Sequence, residues 1–368
     1  MNQRNEMLDS VKGIGMLSII IGHSLTTLPI THMKLGSFVY LYHIMLFFFV
    51  AGFLYDDNKY NQYGRIPAYI GKRFYGIFKL YVLYNTGFVL LHNLLVSFSL
   101  ITAESYSPNE CLIWLLSGVT MQTNEAMLGA FWFLPVFFVS NVLFCLTFCI
   151  VIEISSHFCN HQIIAKTLMF ISMLLFAIIG LYTNQCGMYL SYHIQTAFLA
   201  VPVMYIGYIV KTKYSIISPL FCWIGCFVSC VFLCLIVYFN VITVELSVNQ
   251  IGNPVLFYPV TCLGLYFCMC LSHVLQRCTP AHKVLSFVGR YSFHFMALHF
   301  ITFKILDRLI SLVRCDSETV AKLFPHSYDL GLTYTVVSVI VISILITLMN
   351  TAKKIGAGLI SKKARDIP

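Results

Sequence analysis

The feature that most limits what this chain can fold into is its series of long apolar runs, separated by short polar breaks. Leu174–Tyr182 and Thr335–Met349 are two such runs, and neither contains a charged residue. Charged residues make up 10% of the chain, whereas a soluble globular protein carries about 25%. A helix needs about 20 apolar residues to cross a bilayer. The pattern therefore predicts an all-α integral membrane protein.

The positions of the polar breaks predict about ten transmembrane helices. The predicted spans are 11–30, 38–55, 75–98, 131–152, 167–184, 190–210, 216–240, 254–274, 291–312 and 331–350. We expect them to form a single membrane domain over residues 1–368, without a separate soluble domain. The N-terminus lacks the basic region and cleavage site of a signal peptide, so the first span is expected to remain as an anchor.

Lysine and arginine are distributed unevenly between the two sides of this scheme. With the N-terminus inside, 18 of the 23 basic residues fall in inside segments. Because cytoplasmic loops carry the excess of basic residues, an N-in, C-in orientation in the cytoplasmic (inner) membrane is predicted. The net charge of +9 then reflects the membrane topology. The same charge would also attract anionic membrane lipid. No nucleic-acid partner is expected.

One segment does not fit the scheme of spans. Residues 107–130 contain an apolar core that is too short to cross a membrane. A short interfacial or re-entrant segment on the outer side is therefore predicted there.

The chain contains 14 cysteines, and some of them recur every four residues, at Cys222, Cys226, Cys230 and Cys234. A metal or redox site is one interpretation of this stripe, and small packing residues at a seam between helices are the other. No Cys-x-x-Cys pair with a partner pair occurs, so packing is favoured and no metal site is predicted.

The first predicted span carries ionisable residues along one face. Lys12 and His23 are separated by about 20° more than three full helical turns, and by roughly 16 Å along the axis. Asp9, Met16 and Ile19 fall on the same face. Ionisable groups inside a membrane are costly, so a functional site is the default hypothesis. The alternatives are that Lys12 reaches the headgroups and that His23 only joins neighbouring helices.

The second predicted span adds another histidine at a comparable depth. His43 lies near its outer end, which predicts a pocket shared with His23, and an interfacial histidine is the alternative. Gly52 in the same span would allow a close approach of two helices.

The second inside loop and the start of the third span, Tyr63–Tyr81, are rich in basic and aromatic residues. Such residues can clamp a phosphate-bearing donor. The alternative is the ordinary basic excess of an inside loop. Arg73 and Lys79 lie closest to the membrane and are the preferred donor ligands.

The segments LDSVKGIGMLSIIIGHS and YLYHIMLFFFVAGFLY resemble the opening of the membrane acyltransferase-3 superfamily, and most closely its fucose 4-O-acetylase-like branch. The matching residues are Asp9, Lys12, Gly13, Gly22, His23, His43, Leu46, Phe47, Phe48 and Gly52. Met45 stands where the pattern usually has proline, and Ala51 where it has serine. Lys12 takes the place of an arginine that is usual in the wider superfamily.

Further motifs extend the resemblance over nearly the whole chain. They are FWFLPVFF at 131–138, VPVMYIGYIVK at 201–211, NQIGNPVLFYPVTCLG at 249–264 and FVGRYSFHFMALHF at 287–300. The last motif contains a family histidine, His299. Of the paired arginines of the third span, Arg73 is present, whereas Gly76 stands at the second position and Lys79 is a candidate substitute.

The resemblance implies an O-acyltransferase, expected to be an O-acetyltransferase, that uses cytoplasmic acyl-CoA. The acceptor would be a hydroxyl of a cell-surface or lipid-linked carbohydrate. His23 would deprotonate this hydroxyl or carry the acyl group, and Lys12 is the second expected catalytic residue, orienting the donor. Substrate-binding roles are expected for Asp9, His43, Trp132 and His299, and donor-binding roles for Arg73 and Lys79. Acetyl-CoA would be a co-substrate, and no bound cofactor is expected.

A proton-coupled transporter or flippase of a glycan precursor is the alternative function. Intramembrane aspartate, lysine and histidine occur in such carriers. No inverted repeat and no equivalent pair of broken spans is found in the sequence, which favours the acyltransferase. The acceptor sugar, the acyl chain and the oligomeric state do not follow from the residues.

Overall fold

The structure is a computed structural model that describes residues 6–25, 33–60, 63–314 and 330–365. The α-helices are α1 Glu6–Ser24, α2 Met33–Tyr40, α3 His43–Phe53, α4 Asp57–Tyr60, α5 Ile66–Ser97, α6 Pro108–Ser117, α7 Phe133–Ser156, α8 His161–Gln185, α9 Ile194–Thr212, α10 Tyr214–Ile217, α11 Trp223–Tyr238, α12 Pro254–Leu275, α13 Thr279–Arg290, α14 Ser292–Arg314 and α15 Gly331–Arg365. Short 3-10 helices are Tyr63–Arg65, Gly118–Thr120, Ala126–Trp132, Ser191–His193, Ser218–Leu220 and Leu246–Val248. Strands β1 Val244–Glu245 and β2 Gln250–Ile251 pair in an antiparallel hairpin.

Each predicted span overlaps a helix of the structure. Among the described residues, seven helical segments are long and apolar enough to cross a membrane. An eighth counts if Tyr214–Leu220 and Trp223–Tyr238, which are bent by 72°, form one span. The all-α membrane fold is therefore confirmed. α1 and α14 are not among these segments, so the count of ten and the orientation stay predictions.

α1 and α14 are less apolar than the other spans because they carry ionisable residues that pack inside the protein. Most of α1 is buried, including Asp9. α14 buries Lys304 and Asp307 as an ion pair, with 3.1 Å between Nζ and Oδ2. Charged side chains within a membrane protein face the interior, where they find partners. The low hydropathy of α1 and α14 is thus due to ionisable residues that face the interior of the protein.

The surface of the bundle contains large exposed apolar side chains. Phe170 and Leu174 on α8, Phe227 on α11 and Val336 on α15 are examples. Apolar surface of this extent is unfavourable in water, whereas the hydrocarbon of a bilayer suits it. These helices therefore form the lipid-facing surface.

Polar contacts gather the predicted inside segments at one end of the bundle. Near the start of α1, the sulfur of Met7 accepts from Tyr214 and its carbonyl accepts from Ser272. At the other end, Ser24 hydrogen-bonds to Thr335 near the start of α15, with 2.9 Å between the hydroxyl oxygens. The alternation of the loops and the end that faces the cytoplasm stay predictions.

α13 is a helix within a segment that the sequence analysis treated as an inside loop. It packs against the first half of α1, with Leu285 buried in the contact. A Cβ on Gly13 would overlap the carbonyl oxygen of Leu285, and one on Gly289 would overlap that of Asp9. Small residues let helix backbones approach this closely. α13 thereby positions the half of α1 that carries Lys12.

The segment 107–130, which is predicted to lie on the outer side, contains α6, and α6 is capped at its start. The Ser107 hydroxyl accepts from the Glu110 amide, and the Glu110 carboxylate accepts from the Ser107 amide and hydroxyl, forming a capping box. These hydrogen bonds lower the pKa of the Glu110 carboxyl. α6 has ten residues, and its Leu112 and Leu116 are exposed. Its length excludes a span, and the exposed leucines suit the predicted interfacial position.

The cysteine stripe begins at the start of α11, which packs against α12. Cys226 and Cys230 contact the core, whereas Cys234 is exposed. All thirteen cysteines of the described ranges are free thiols, and no metal-binding group of three His, Cys, Asp or Glu residues is found there. Two of the cysteines thus serve as packing residues at this seam.

Candidate active site

Two histidines from distant parts of the chain meet between α1 and α14. His23 Nδ1 lies 2.9 Å from His299 Nε2, although the residues are 276 positions apart. The two ring centroids are 5.1 Å apart, and the Phe300 ring stacks on His23 at 4.9 Å. His299 is fully buried. Stacking and the hydrogen bond together hold the His23 ring in one orientation.

The hydrogen bonds of His299 determine which nitrogen of His23 is basic. His299 Nδ1 lies 2.9 Å from the Met296 carbonyl oxygen and 3.2 Å from that of Phe295. A carbonyl can only accept, so His299 Nδ1 carries a hydrogen and Nε2 is the acceptor. His23 Nδ1 therefore donates to His299 in the neutral pair, a tautomer that we assign from the network. His23 Nε2 then holds the lone pair.

His43 lies close to this pair. It is buried at the first turn of α3, its Nδ1 donates to the Val39 carbonyl at 2.9 Å, and its ring contacts Tyr40 at 4.7 Å. It is near enough to His23 for an electrostatic interaction. His23, His43 and His299 are referred to below as the histidine layer. The structure thus places His299 beside the two histidines for which the sequence predicts a shared pocket, and that pocket stays a prediction.

An inner cavity of about 230 Å³ lies between α1, α3, α5, α7 and α14. Its lining residues are Lys12, Met16, Ile19, Phe47, Val50, Ala51, Leu54, Arg73, Ile77, Phe133, Leu134, Phe137, Ser292, Phe293 and Met296. Most of the wall is apolar. α1 contributes Lys12, Met16 and Ile19, which belong to the face predicted from the sequence.

Three wall helices of the inner cavity carry the residues of the histidine layer. His23 follows the lining residue Ile19 by four positions on α1, and His299 follows Met296 by three on α14. His43 precedes the lining residue Phe47 by four positions on α3. Residues three or four apart share one face of a helix. The next turn of three wall helices therefore brings the three histidines to one end of the cavity.

Two cationic side chains line the inner cavity at its other end. Lys12 Nζ is 2.6 Å from Asp9 Oδ1, and the Lys12 side chain is 22% exposed while that of Asp9 is 4% exposed. The Arg73 guanidinium lies 5.2 Å from the centre of the Tyr69 ring, a cation–π distance. The Tyr69 hydroxyl donates to Asn141 at 2.9 Å. Both cations are thus held by neighbours while they reach the cavity.

Two of the predicted site residues lie elsewhere. Lys79 is exposed on α5 and is not part of the inner-cavity wall. Trp132 is half-buried, and its ring centroid is 5.1 Å from that of His193. The other predicted residues either line the inner cavity, form the histidine layer or, as Asp9 does, pair with a lining cation.

A polar network that was not predicted from the sequence fixes the half of α1 that carries Lys12. Ser10 Oγ lies 2.9 Å from His282 Nδ1 and 3.0 Å from Ser286 Oγ. His282 Nε2 is 3.4 Å from a carboxylate oxygen of Glu6. The spacing of His282 and Ser286 places both on one face of α13. That spacing is the available signal, but it does not identify α1 as the partner.

One comparison with known proteins finds a match. A family model described as an acyltransferase domain matches residues 5–349, nearly the whole chain. No match is found among curated proteins or among solved structures. The matched range includes the whole histidine layer and every residue that lines the inner cavity.

Proposed function

The chain belongs to the membrane acyltransferase-3 superfamily, and on this premise we propose that it is an O-acyltransferase that uses cytoplasmic acyl-CoA. The acyl group is acetyl, and the acceptor is a hydroxyl of a cell-surface or lipid-linked carbohydrate. The enzyme works in the cytoplasmic (inner) membrane. The observation that carries the proposal is the inner cavity, which is lined by two cations and whose wall helices carry a hydrogen-bonded pair of histidines one turn beyond it.

The inner cavity, of about 230 Å³, suits the part of a long donor that leads from its charged end to the reacting group. Coenzyme A carries phosphates, which bind lysine and arginine through charge-assisted hydrogen bonds. In the proposed complex the phosphates contact Lys12 and Arg73, and the pantetheine arm follows the apolar wall towards His23. Lys12 and His23 are eleven residues apart on one continuous helix, or roughly 16 Å along its axis. The two residues thus contact different parts of one extended donor.

His23 Nε2 is the group that activates the acceptor in this proposal. It removes the hydrogen of the acceptor hydroxyl while the oxygen bonds to the acyl carbon. The carbon–sulfur bond then breaks, and the proton passes from His23 to the thiolate, so that an ester and free coenzyme A leave. His299 positions His23 by accepting from its Nδ1. The same nitrogen of His23 would form an acyl-imidazole if it acted as a covalent carrier.

The proposed function is tested with purified protein in lipid nanodiscs. An acyltransferase releases free thiol from acetyl-CoA and transfers labelled acetyl to a hydroxyl acceptor, whereas a transporter does neither. Mass spectrometry of surface glycans from a deletion strain, compared with the parent strain, identifies the acceptor. Thiol release and acetyl transfer that are absent for every acceptor tested would contradict the proposal.

Replacing Arg73 with alanine is expected to raise the KM for acetyl-CoA about ten- to a hundredfold. The physical reason is the loss of a charge-assisted contact, worth about 1.5–3 kcal/mol, with about 1.4 kcal/mol per factor of ten. Lys12→Ala should have a similar effect. The measurement is the initial rate of thiol release as a function of acetyl-CoA concentration.

Two further variants test whether the effect of Arg73→Ala is specific to the inner cavity. Lys72→Ala removes the neighbouring cation, which is exposed outside the inner cavity, and should leave the KM unchanged. Lys79→Ala tests the other donor ligand expected from the sequence. An equal rise of the KM in Lys72→Ala and Arg73→Ala would mean that general surface charge, and not the inner cavity, attracts the donor.

A further inference from the structure

A second cavity, of about 220 Å³, lies beside α1 near the histidine layer. It is called the outer cavity below, and its lining includes Gly36, Tyr40, Glu245 and Gln250. This volume is smaller than the pockets that hold a whole drug-sized molecule, about 300–1,000 Å³. The outer cavity therefore suits part of a larger ligand, such as one sugar ring.

The outer cavity adjoins the histidine layer on the side away from the inner cavity. Gly22, which directly precedes His23, forms part of its wall together with Leu25, which directly follows α1. The Tyr40 ring lines the cavity and also contacts His43. A ligand here would approach the histidines from the end of α1 that lies opposite Lys12.

The polar wall of the outer cavity is held rigidly by the hairpin of β1 and β2. Glu245 and Gln250 are direct cross-strand partners, so their side chains lie side by side on one face. Glu245 Oε1 accepts from the Ser247 amide at 3.2 Å and from its hydroxyl at 2.6 Å. Such bonds orient the carboxylate before any ligand arrives.

The hairpin is in turn tied to the helix bundle. Asn184 at the end of α8 donates to the Asn249 carbonyl at 2.8 Å, and Gln185 donates to the Ile251 carbonyl at 3.1 Å. Val244 of β1 and Ile251 of β2 are both buried. The hairpin side of the outer cavity is therefore formed by anchored residues.

The carboxylate in the wall of the outer cavity disfavours ligands that carry phosphate. Among the described residues that line the outer cavity, Glu245 is the only ionisable acid and no lysine or arginine is present. A phosphate would be repelled by the carboxylate. The donor, with its phosphates, therefore fits the inner cavity, and the outer cavity suits a ligand without negative charge.

We propose that the outer cavity is the acceptor site and that it binds one ring of a neutral carbohydrate. Glu245 accepts hydrogen bonds from neighbouring hydroxyls, Gln250 donates and accepts, and the Tyr40 ring packs against the C–H face of the sugar. The inference rests on the proposed function, because it assigns the acceptor of that reaction. The two substrates then reach the histidine layer from opposite sides.

The test fills the outer cavity without disturbing the fold. A Cβ on Gly36 would meet no atom of the described residues within 4 Å, so Gly36→Leu places a side chain in the cavity, and leucine is favoured over glycine in a helix such as α2. Gly76→Leu is the matched control, because a Cβ there also meets no atom within 4 Å and Gly76 lines neither cavity. The double variant E245A/Q250A removes the polar wall instead.

The probes are methyl glycosides of neutral hexoses and 6-deoxyhexoses. Saturation-transfer NMR measures their binding to protein in nanodiscs without acetyl-CoA. The wild type and Gly76→Leu are expected to bind at least one glycoside. Gly36→Leu should lose that binding, and E245A/Q250A should weaken it at least tenfold. The KM for acetyl-CoA should stay unchanged in all these variants.

A rival acceptor region surrounds Trp132. Within the described part of the chain, Gln195 Nε2 and Thr196 Oγ1 nearby in α9 are buried without a hydrogen-bond partner. Trp132→Phe and Gln195→Leu therefore join the panel. The proposal is overturned if these variants lose glycoside binding while Gly36→Leu keeps it, or if the wild type binds none of the probes.

Different results would contradict the proposed function and the proposed acceptor site. Binding that depends on the outer cavity, with no acetyl transfer in any assay, would refute the proposed function and leave the carbohydrate site. Acetyl transfer to a glycoside that is equally fast in Gly36→Leu and the wild type would refute the acceptor site and leave the proposed function.

Discussion

Replacing His23 with glutamine is expected to reduce acyl transfer by about 10²- to 10⁴-fold, the range that general acid–base catalysis contributes. Glutamine keeps a side-chain amide that can donate to His299, but it has no basic nitrogen. No positioned base would then remain to take the proton of the acceptor hydroxyl. The measurement is kcat for acetyl transfer at saturating acetyl-CoA, with the KM for acetyl-CoA expected to change little.

The control for His23→Gln is the same substitution at His157. The His157 side chain is 74% exposed and lies far along the chain from the candidate site, so His157→Gln should keep wild-type activity. Wild-type activity in His23→Gln would remove His23 from the mechanism. Acid-quenched mass spectrometry after mixing with acetyl-CoA, without acceptor, distinguishes a base from a carrier, because only a carrier accumulates an acetylated histidine.

His299 is expected to act through His23 and not on the substrate. His299→Leu keeps an apolar side chain in the buried site but removes the acceptor of the His23 Nδ1 hydrogen, so we expect kcat to fall roughly 10- to 100-fold, the cost of about 1–3 kcal/mol for a lost hydrogen-bond partner. His299→Gln can restore an accepting oxygen and should recover much of the activity. If both variants are equally impaired at equal thermal stability, a positioning role for His299 is excluded.

Gly52→Ala is expected to destabilise the fold by about 1–3 kcal/mol or more, the cost of overpacking a tight contact. α3 and α9 cross with Gly52 against the main chain of Met204, and a Cβ there would overlap the Met204 carbonyl oxygen. Gly207 on α9 faces the Phe49 main chain in the same way. Because backbone atoms cannot rotate aside, the helices would have to separate. The measurement is the midpoint of thermal unfolding in detergent.

Gly76→Ala is the control for Gly52→Ala, and it is expected not to lower the midpoint of thermal unfolding. A Cβ on Gly76 meets no atom within 4 Å, and alanine is favoured over glycine inside a helix by roughly 0.5–1 kcal/mol. This variant should unfold at the same temperature as the wild type or higher. An unfolding midpoint for Gly52→Ala that equals that of Gly76→Ala would show that the α3–α9 contact is looser than the structure has it.

Much of the local architecture could be predicted from the sequence. The apolar runs located the helices, because a run of about 20 apolar residues is needed wherever a helix meets hydrocarbon. The close approach at Gly52 was also predicted, and the structure confirms it. α13 was missed as a helix, since its contact is with α1 and it need not satisfy the length of a span.

The candidate site was predictable only in part. Lys12, Met16 and Ile19 of the predicted face line the inner cavity and His23 lies one turn beyond, because the period of a helix fixes which residues share a face. The two preferred donor ligands of α5 look alike in sequence, yet Arg73 lines the inner cavity and Lys79 does not. The neighbours of a residue on other helices decide whether it faces a cavity or the outer surface.

By itself, the sequence determined the all-α membrane fold, the one-sided array on α1 and the family resemblance, since these depend on composition, helical period and local motifs. Only the tertiary structure decided that His23 meets His299, that α13 covers α1 and that a hairpin encloses the outer cavity. The physical reason is that helix association inside a membrane depends on the shape and polarity of whole faces. Residues far apart in the chain form those contacts, and the period of a single helix carries no information about its partner.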